Sequence, residues 1–349
     1  SDLYYTITTV GPLDLAIGVK PPSGVGISIE GGGFTGGGFL KFDFDKKEYT
    51  GALELSFKDK IGLKAIGILN TKMPDGSKGY SLLIIITVEF NPIQLGLGFT
   101  LNGVGGLLGL HRTFLIEPLQ KGIYDGSLSN ILFPQNIVAN APVIISQLQT
   151  VFPAQENHFL IGPMAKIGWG TPTIMTLDLG LLIEIPRPGF ALLGIFRLIL
   201  PNPEAPIVKI RVDFVGYFDL EKGQISIDGA LVDSKILTYT LTGNMAFRLY
   251  YKDQPSFLLS IGGFHPAFTP PPMNLPEMKR ISIVIFSGNP SLKTESYMAV
   301  TSNTIQFGSK AELSYSFKVF NVYGFLSNDV LIQLSPLYFI ADFQAMLAV

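Results

Sequence analysis

The feature that most constrains this chain is a two-residue alternation of apolar and polar side chains that recurs along its length. Apolar residues occupy every second position of segments 40–44 and 53–57, and again of segments 208–214 and 311–319. Successive side chains of a β-strand point to opposite faces, so this period predicts strands with one apolar and one polar face. Short turn sequences such as residues 221–223 separate the runs, which makes neighbouring strands antiparallel.

A second class of predicted strand is apolar on both faces. Residues 82–88, 190–200 and 281–286 would each place bulky side chains on both sides of a sheet. Something apolar must cover both sides: a second sheet, a short helix, a bound hydrophobic ligand, a membrane or another protein chain. Roughly fifteen strands are more than a twisted open sheet usually holds. We therefore predict an all-β fold with minor helix, a long antiparallel meander curled or closed into a barrel-like or sandwich architecture around an apolar interior.

One segment breaks the alternation and divides the chain. Residues 140–152 are typical of a helix with Asn140 as its N-cap and Pro142 in its first turn, and residues 124–132 of a second short helix. The predicted helix places Ile144, Leu148 and Val151 on one face. We predict a first β meander over residues 1–113, a partly helical insertion over 114–157, and a second meander over 158–349 that continues the first.

The composition excludes several classes of function. Only 15% of the 349 residues are charged, 47% are hydrophobic, and the net charge is −2. No global field attracts phosphate, so we predict no nucleic-acid partner. The chain has no cysteine, which excludes a disulfide framework, a thiol nucleophile and a cysteine-ligated metal. The redox compartment and the localisation cannot be read from the sequence.

The sequence offers little catalytic chemistry. His111, His158 and His265 are widely separated, and none has a second ligand at the spacing of a metal site. We therefore predict no metal, no cofactor, no catalytic residue and no enzymatic activity. A hydrolase built on two carboxylates, Asp178 and Glu184, stays open as an alternative, because their separation in space does not follow from the sequence.

Two glycine-rich runs carry a family resemblance. Residues 96–113 and residues 262–268 resemble segments of a family of large, glycine-rich, β-dominated bacterial and fungal domains of unknown function. The resemblance covers the chain from about residue 25 onward. It implies a β architecture and supplies no catalytic residues. The last residues, 338–349, are typical of a strand without a closing turn, which suggests a fragment of a longer protein.

Three functional hypotheses follow from these patterns. The first is a non-enzymatic β module that binds a hydrophobic small molecule or lipid in an apolar interior. The second is a structural or assembly module that binds neighbouring domains or copies of the same chain. The third is an outer-membrane β-barrel. It is less favoured because the doubly apolar strands lack a polar lumen face. The candidate ligand-binding residues are apolar strand positions and a pair that ends a strand: Leu83, Ile85, Leu192, Ile195, His111 and Arg112. The pair His111 and Arg112 would offer donors at a cavity mouth, or would simply end the strand.

Overall fold

The fold is all-β with minor helix, as the alternation predicts. A computed structural model of the chain describes residues 3–7, 14–20, 24–58, 60–186 and 189–349, with side chains from residue 25 onward. Strands make up 65% of it and helices 9%. The chain divides into two compact units, Ser1–Gly122 with Ser127–Ile195 and Ile123–Gly126 with Phe196–Val349. This division falls between residues 195 and 196, inside a strand, and also separates residues 123–126 from their neighbours in the chain.

The first unit is an antiparallel meander in which each of the first nine strands pairs with the next one along the chain. Its strands are β1 (Leu3–Ile7), β2 (Asp14–Lys20), β3 (Gly24–Gly31), β4 (Phe34–Asp43), β5 (Glu48–Phe57), β6 (Ile61–Lys72), β7 (Lys78–Gly96), β8 (Phe99–Arg112), β9 (Ala154–Trp169) and β10 (Met175–Ile185), and β11 (Gly189–Leu200) begins in it. Strand β9 begins at Ala154, earlier than the predicted end of the insertion at residue 157.

The insertion between β8 and β9 contains α1 (Ile116–Asp125), a 3₁₀ turn (Ser127–Asn130) and α2 (Ile137–Val151). The predicted helix is present but begins before Asn140, with Asn136 at its N-cap position and no side-chain capping bond. The backbone N–H of Ile137 donates instead to Glu54 Oε2 at 3.2 Å, so a sheet carboxylate satisfies one free N–H of the first turn. The second predicted helix, over 124–132, is replaced by α1 and the 3₁₀ turn because the helical turns begin at Ile116.

Helix α2 lies against β4, β5 and β6. Its residues Ile144, Leu148 and Val151 are buried, as the helical period predicts. Phe152, directly after the helix, is fully buried as well. The insertion therefore forms the apolar core of the first unit together with one side of the sheet.

The second unit is also antiparallel, but its pairing departs from chain order. Its strands are the end of β11, then β12 (Val208–Asp219), β13 (Gln224–Leu231), β14 (Ser234–Ile236), β15 (Tyr239–Thr242), β16 (Asn244–Tyr250), β17 (Ser256–Ile261), β18 (Ile281–Ser287), β19 (Ser291–Thr301), β20 (Thr304–Phe317), β21 (Phe320–Gln333) and β22 (Tyr338–Ala348). Strand β13 pairs with β16, and β17 pairs with both β16 and β19. Strands β14 and β15 pair with each other and connect β12 to β18. From β19 to β22 the strands again pair in chain order.

Candidate functional site

The two sides of strands β4 to β9 differ in what lies against them. We call the side that faces the insertion the covered face. The cross-strand row Ala52, Ile66, Ile85 and Leu107 lies on it, and each of these side chains is buried. The other side is called the open face.

The covered face also carries charged side chains. Lys64 Nζ lies 3.0 Å from Glu89 Oε1 and donates to Gln135 Oε1 in the insertion at 2.5 Å. Lys166 forms a second ion pair with Glu89. Burial raises the pKa of Glu89, but hydrogen bonds from Lys166, Gln135 and Lys64 outweigh it and lower the pKa to about 2. This network attaches the insertion to the sheet.

The open face has the opposite chemistry. Four successive cross-strand rows on it contain only aliphatic, aromatic, proline and glycine residues, and the Tyr49 hydroxyl is the single polar side-chain group in these rows. The rows are Phe42, Tyr49, Leu69, Leu82, Leu110 and Phe159; Leu40, Gly51, Gly67, Ile84, Leu108 and Ile161; Gly38, Leu53, Ala65, Ile86, Gly106 and Pro163; and Gly36, Leu55, Leu63, Val88, Val104 and Ala165.

Many of these apolar side chains are exposed. The exposed fraction is 45% for Ile86, 42% for Leu108 and 47% for Ile161. An antiparallel sheet that is covered on one side normally turns its apolar residues to the core and its polar residues to water. Here the charges lie beneath the insertion and an uncharged apolar surface lies outside, which is typical of a face that binds an apolar partner.

A groove crosses the open face over β3 to β7. It has a volume of about 440 Å³, within the range of roughly 300–1,000 Å³ typical of small-molecule sites. Gly51 and Gly67 are directly paired; the Leu40 side chain lies over Gly51, whereas the backbone of Gly67 is bare. A Cβ built on Gly67 meets no other heavy atom within 4 Å, so the groove above this residue is empty space. The walls are Leu40, Leu53, Leu69, Leu82 and Ile84.

Three of the four predicted apolar ligand-binding residues lie on the covered face instead. Leu83 and Ile85 are buried in the row positions that face the insertion. In β11, Leu193 and Ile195 share the buried parity, and Leu193 approaches Gly180, which lies against Leu132 of the insertion. Only Leu192 has the parity of the open face. The open face is formed by neighbouring residues of β7, such as Ile84 and Ile86, rather than by Leu83 and Ile85.

The predicted pair His111 and Arg112 is separated by a β-bulge. The register shifts between Leu110 and Arg112, and His111 has φ 53, so neighbouring side chains diverge. Arg112 is buried and donates to Phe152 O at 2.9 Å and to Asn70 Oδ1 at 2.5 Å. Burial lowers the pKa of Arg112 to about 10, which leaves it cationic at neutral pH. The pair does not form a cavity mouth, and Arg112 ties the insertion to the sheet.

The ring of His111 contacts other residues than Arg112 does. Its centroid is 5.2 Å from that of Tyr80 and 5.5 Å from that of Phe159, a residue of the open face. The backbone N–H of Asn157 donates to His111 Nδ1 at 3.0 Å. His111 therefore borders the open face as a half-buried aromatic neighbour.

The alternative carboxylate pair does not have the geometry of a glycosidase. Asp178 and Glu184 lie on one strand, β10, six residues apart, which corresponds to about 20 Å at the rise of a strand. Hydrolytic carboxylate pairs are separated by roughly 5–9.5 Å. Glu184 also accepts from Thr113 Oγ1 at 2.5 Å and lies 2.7 Å from His158 Nδ1. These contacts join the strand to the start of the insertion.

Within residues 3–349, apart from the gaps given above, no group of three or more acidic or histidine side chains has the arrangement of a metal site. No helix in the same residues is both long enough and apolar enough to cross a bilayer.

In the second unit, too, charged side chains lie on a covered side of the sheet and apolar rows lie on the opposite side. Arg248 is buried, pairs with Asp228 at 2.8 Å and donates to Met273 O and Asn274 O at 3.1 and 2.8 Å. The segment that connects β17 to β18 therefore covers this side. The opposite side contains the apolar rows Met298, Phe307, Val330 and Ala341, and Val300, Ile305, Ile332 and Phe339.

Charge parity in the sequence separates the two faces of these strands but does not show which of them is covered. Lys64 and Glu89 are separated by an even number of residues from Ile66 and Ile85, so they share a face with these residues once the strands are paired. Sequence reasoning assigns such a polar parity to water. The insertion covers it, and the groove consequently lies on the other parity, at Gly67, Leu82 and Ile84.

Comparisons with known proteins agree with the expected kinship. No curated protein and no solved structure matches the chain. A family model matches it over its whole length, and the prediction of membership in an uncharacterised domain family is confirmed. The chain belongs to the family of unknown function DUF6603, whose model covers residues 1–349.

Proposed function

We propose that this protein is a non-enzymatic β module that holds the hydrocarbon chain of a lipid or similar hydrophobic molecule on the open face of its first unit. The observation that carries the proposal is the uncharged apolar face with a glycine-floored groove, placed opposite a covered face that bears the charges. Water in such an apolar groove finds no polar partners, so the groove takes up apolar molecules instead.

The magnitude of the hydrophobic effect supports a chain-like ligand. Burial of one methylene contributes about 0.8 kcal/mol. Ten methylenes laid along the groove would contribute roughly 8 kcal/mol before the loss of translational and rotational freedom is subtracted. A long aliphatic chain therefore reaches useful affinity without any charged contact, and the open face offers none in the four rows described above.

The decisive experiment fills the groove. Gly67→Leu places a side chain in empty space above the strand, whereas Gly62→Leu does the same on the other face of the same strand, β6, where a Cβ also meets no heavy atom within 4 Å. The probe is cis-parinaric acid, and the readout is its fluorescence on titration. We expect Gly67→Leu to weaken binding at least tenfold and Gly62→Leu to leave it unchanged.

Two results would contradict the proposal. One is the absence of saturable probe binding to the wild-type protein together with protein purified free of extractable lipid. The other is an equal effect of Gly67→Leu and Gly62→Leu. Thermal unfolding of both variants shows whether each retains the wild-type fold.

A second candidate function is assembly through the edge of the sheet. In the part of the chain that the structure describes, β22 pairs with β21 alone, and its Phe339, Phe343 and Leu347 are exposed to 71%, 77% and 73%. An uncovered apolar edge strand is a template for another strand. Sedimentation velocity over a concentration series tests this function: assembly predicts concentration-dependent association that Phe343→Lys abolishes and Phe317→Lys, away from the edge, does not.

A further inference from the structure

In the second unit, the side of the sheet opposite to Arg248 is not uniformly apolar. Ser296, Ser309 and Asn328 form one cross-strand row over β19, β20 and β21. We call these three residues the polar row. The Ser309 hydroxyl donates to Asn328 Oδ1, which leaves the amide N–H groups of Asn328 and the lone pairs of the serine hydroxyls for other partners.

The rows on both sides of the polar row are apolar except for Thr294. The row with Met298 and Phe307 lies on one side, and the row with Thr294, Ala311 and Leu326 lies on the other. Met298, Phe307 and Leu326 are all exposed. A cavity of about 270 Å³ lies over the polar row and is also lined by Ile281, Ile283 and Leu326.

The polar row contains no charge. Glu295 and Lys310 border the same cavity, but strand alternation directs their side chains to the other side of the sheet. There Lys310 pairs with Glu312, and Glu295 pairs with Lys293. A ligand in the cavity therefore meets hydroxyl and amide groups, and a carboxylate or phosphate would lose its hydration without gaining a cation.

We infer that the polar row selects an uncharged amphiphile, a long-chain ester of glycerol or a similar neutral lipid, whose ester and hydroxyl groups hydrogen-bond to Ser296, Ser309 and Asn328 while its chain lies on the flanking apolar rows. This inference goes beyond the proposed function, because the polar row lies in the second unit and the groove of the proposed function lies in the first. It assigns to the second unit a preference among molecules with the same hydrocarbon chain.

The experiment compares three ligands of matched chain length. Monoolein, oleic acid and 1-octadecene are each supplied from methyl-β-cyclodextrin at pH 8, unbound material is removed by gel filtration, and the amount retained per protein is measured by mass spectrometry. One or two net hydrogen bonds correspond to roughly a fivefold to thirtyfold difference in retention. Because the groove of the first unit would hold all three ligands, the protein tested carries Gly67→Leu, and we expect it to retain monoolein over both of the other ligands by about this factor.

The variant with Ser309→Ala and Asn328→Leu should lose the preference and keep its uptake of 1-octadecene. Asn321→Leu, which changes an exposed asparagine at the start of the same strand, is the matched control and should keep the preference. Thermal unfolding of each variant verifies its fold.

The outcomes separate this inference from the proposed function. If the Gly67→Leu protein retains none of the three ligands, the inference fails, whereas the proposed function is judged by probe binding to the wild-type protein. If it retains them equally, or if the protein that also carries Ser309→Ala and Asn328→Leu still prefers monoolein, the polar row does not select. Preference for oleic acid would also overturn the inference, because it would require a cationic partner for the carboxylate.

Discussion

Ile85 and Ile86 are adjacent in β7 and chemically identical, yet Ile85 is 1% exposed beneath the insertion and Ile86 is 45% exposed on the open face. The difference follows from the alternation of side chains along a strand. One residue belongs to the protein core, and its neighbour belongs to the surface that we propose binds lipid.

This relationship predicts opposite consequences for the same substitution. Ile85→Asp should lower the free energy of unfolding by more than about 4 kcal/mol, because it buries an unpaired carboxylate. Ile86→Asp should lower it by less than about 1 kcal/mol and should reduce uptake of the fluorescent fatty acid. Urea unfolding at pH 7 measures the first quantity. Equal destabilisation by both variants would show that the open face is core.

The network around Glu89 predicts a pH dependence of stability. The pKa of Glu89 is lowered from 4.5 to about 2 in the folded protein, so its stabilising effect is complete above pH 4.5 and is lost as the pH falls towards 2. Because Glu89 is partly exposed, we expect Glu89→Gln to lower the free energy of unfolding by about 1–2 kcal/mol at pH 7.

Urea midpoints at pH 7, 4 and 2.5 measure this effect. The difference between the wild-type protein and Glu89→Gln should shrink as the pH falls and nearly vanish at the lowest value. The control is Glu30→Gln, which removes a carboxylate that is exposed on β3 and should have little effect. A difference that is constant across the three pH values would argue against the network.

Because Arg112 bonds the sheet to the insertion, its substitution should lower the free energy of unfolding, whereas substitution of the neighbouring His111 should not. Arg112→Met leaves Phe152 O and Asn70 Oδ1 without their donor and should cost about 2–4 kcal/mol. Arg112→Lys should restore only part of this loss, because one ammonium cannot reproduce the planar fork of the guanidinium.

The control at the adjacent position is His111→Asn, since asparagine tolerates the left-handed conformation at φ 53. It should change the free energy of unfolding by less than about 1 kcal/mol. Thermal unfolding measured by circular dichroism compares the three variants. Full rescue by lysine would indicate that charge alone, rather than hydrogen-bond geometry, holds the insertion.

Packing of α2 on the covered face predicts a contrast between two of its residues. Leu148 is fully buried and Val143 is exposed. Leu148→Ala should lower the free energy of unfolding by about 2–5 kcal/mol through lost apolar burial and the cavity left behind. Val143→Ala should be neutral or slightly stabilising, because alanine is the better helix former. Comparable losses in urea unfolding would mean that α2 does not pack as described.

Much of the fold was predictable because it depends on local periodicity. The alternation through Leu53 and Glu54 predicts a strand with two unlike faces, and the short turns predict antiparallel neighbours. The apolar face of α2 with Leu148 was predictable for the same reason, since helical spacing places it on one side. The start of α2 was not, because its first N–H bonds to Glu54, a residue far away in sequence.

The sequence by itself determined that the chain forms antiparallel strands and which residues of each strand share a face. The tertiary structure alone decided which of those faces meets protein and which meets the outside. The physical reason is that period-2 alternation shows which residues share a face but not which face the rest of the protein covers. A helical insertion that pairs its polar groups with Lys64 and Glu89 can cover the face with the charges. The apolar parity, with Gly67 and Ile84 at the groove, then faces outward, and we propose that it binds the ligand.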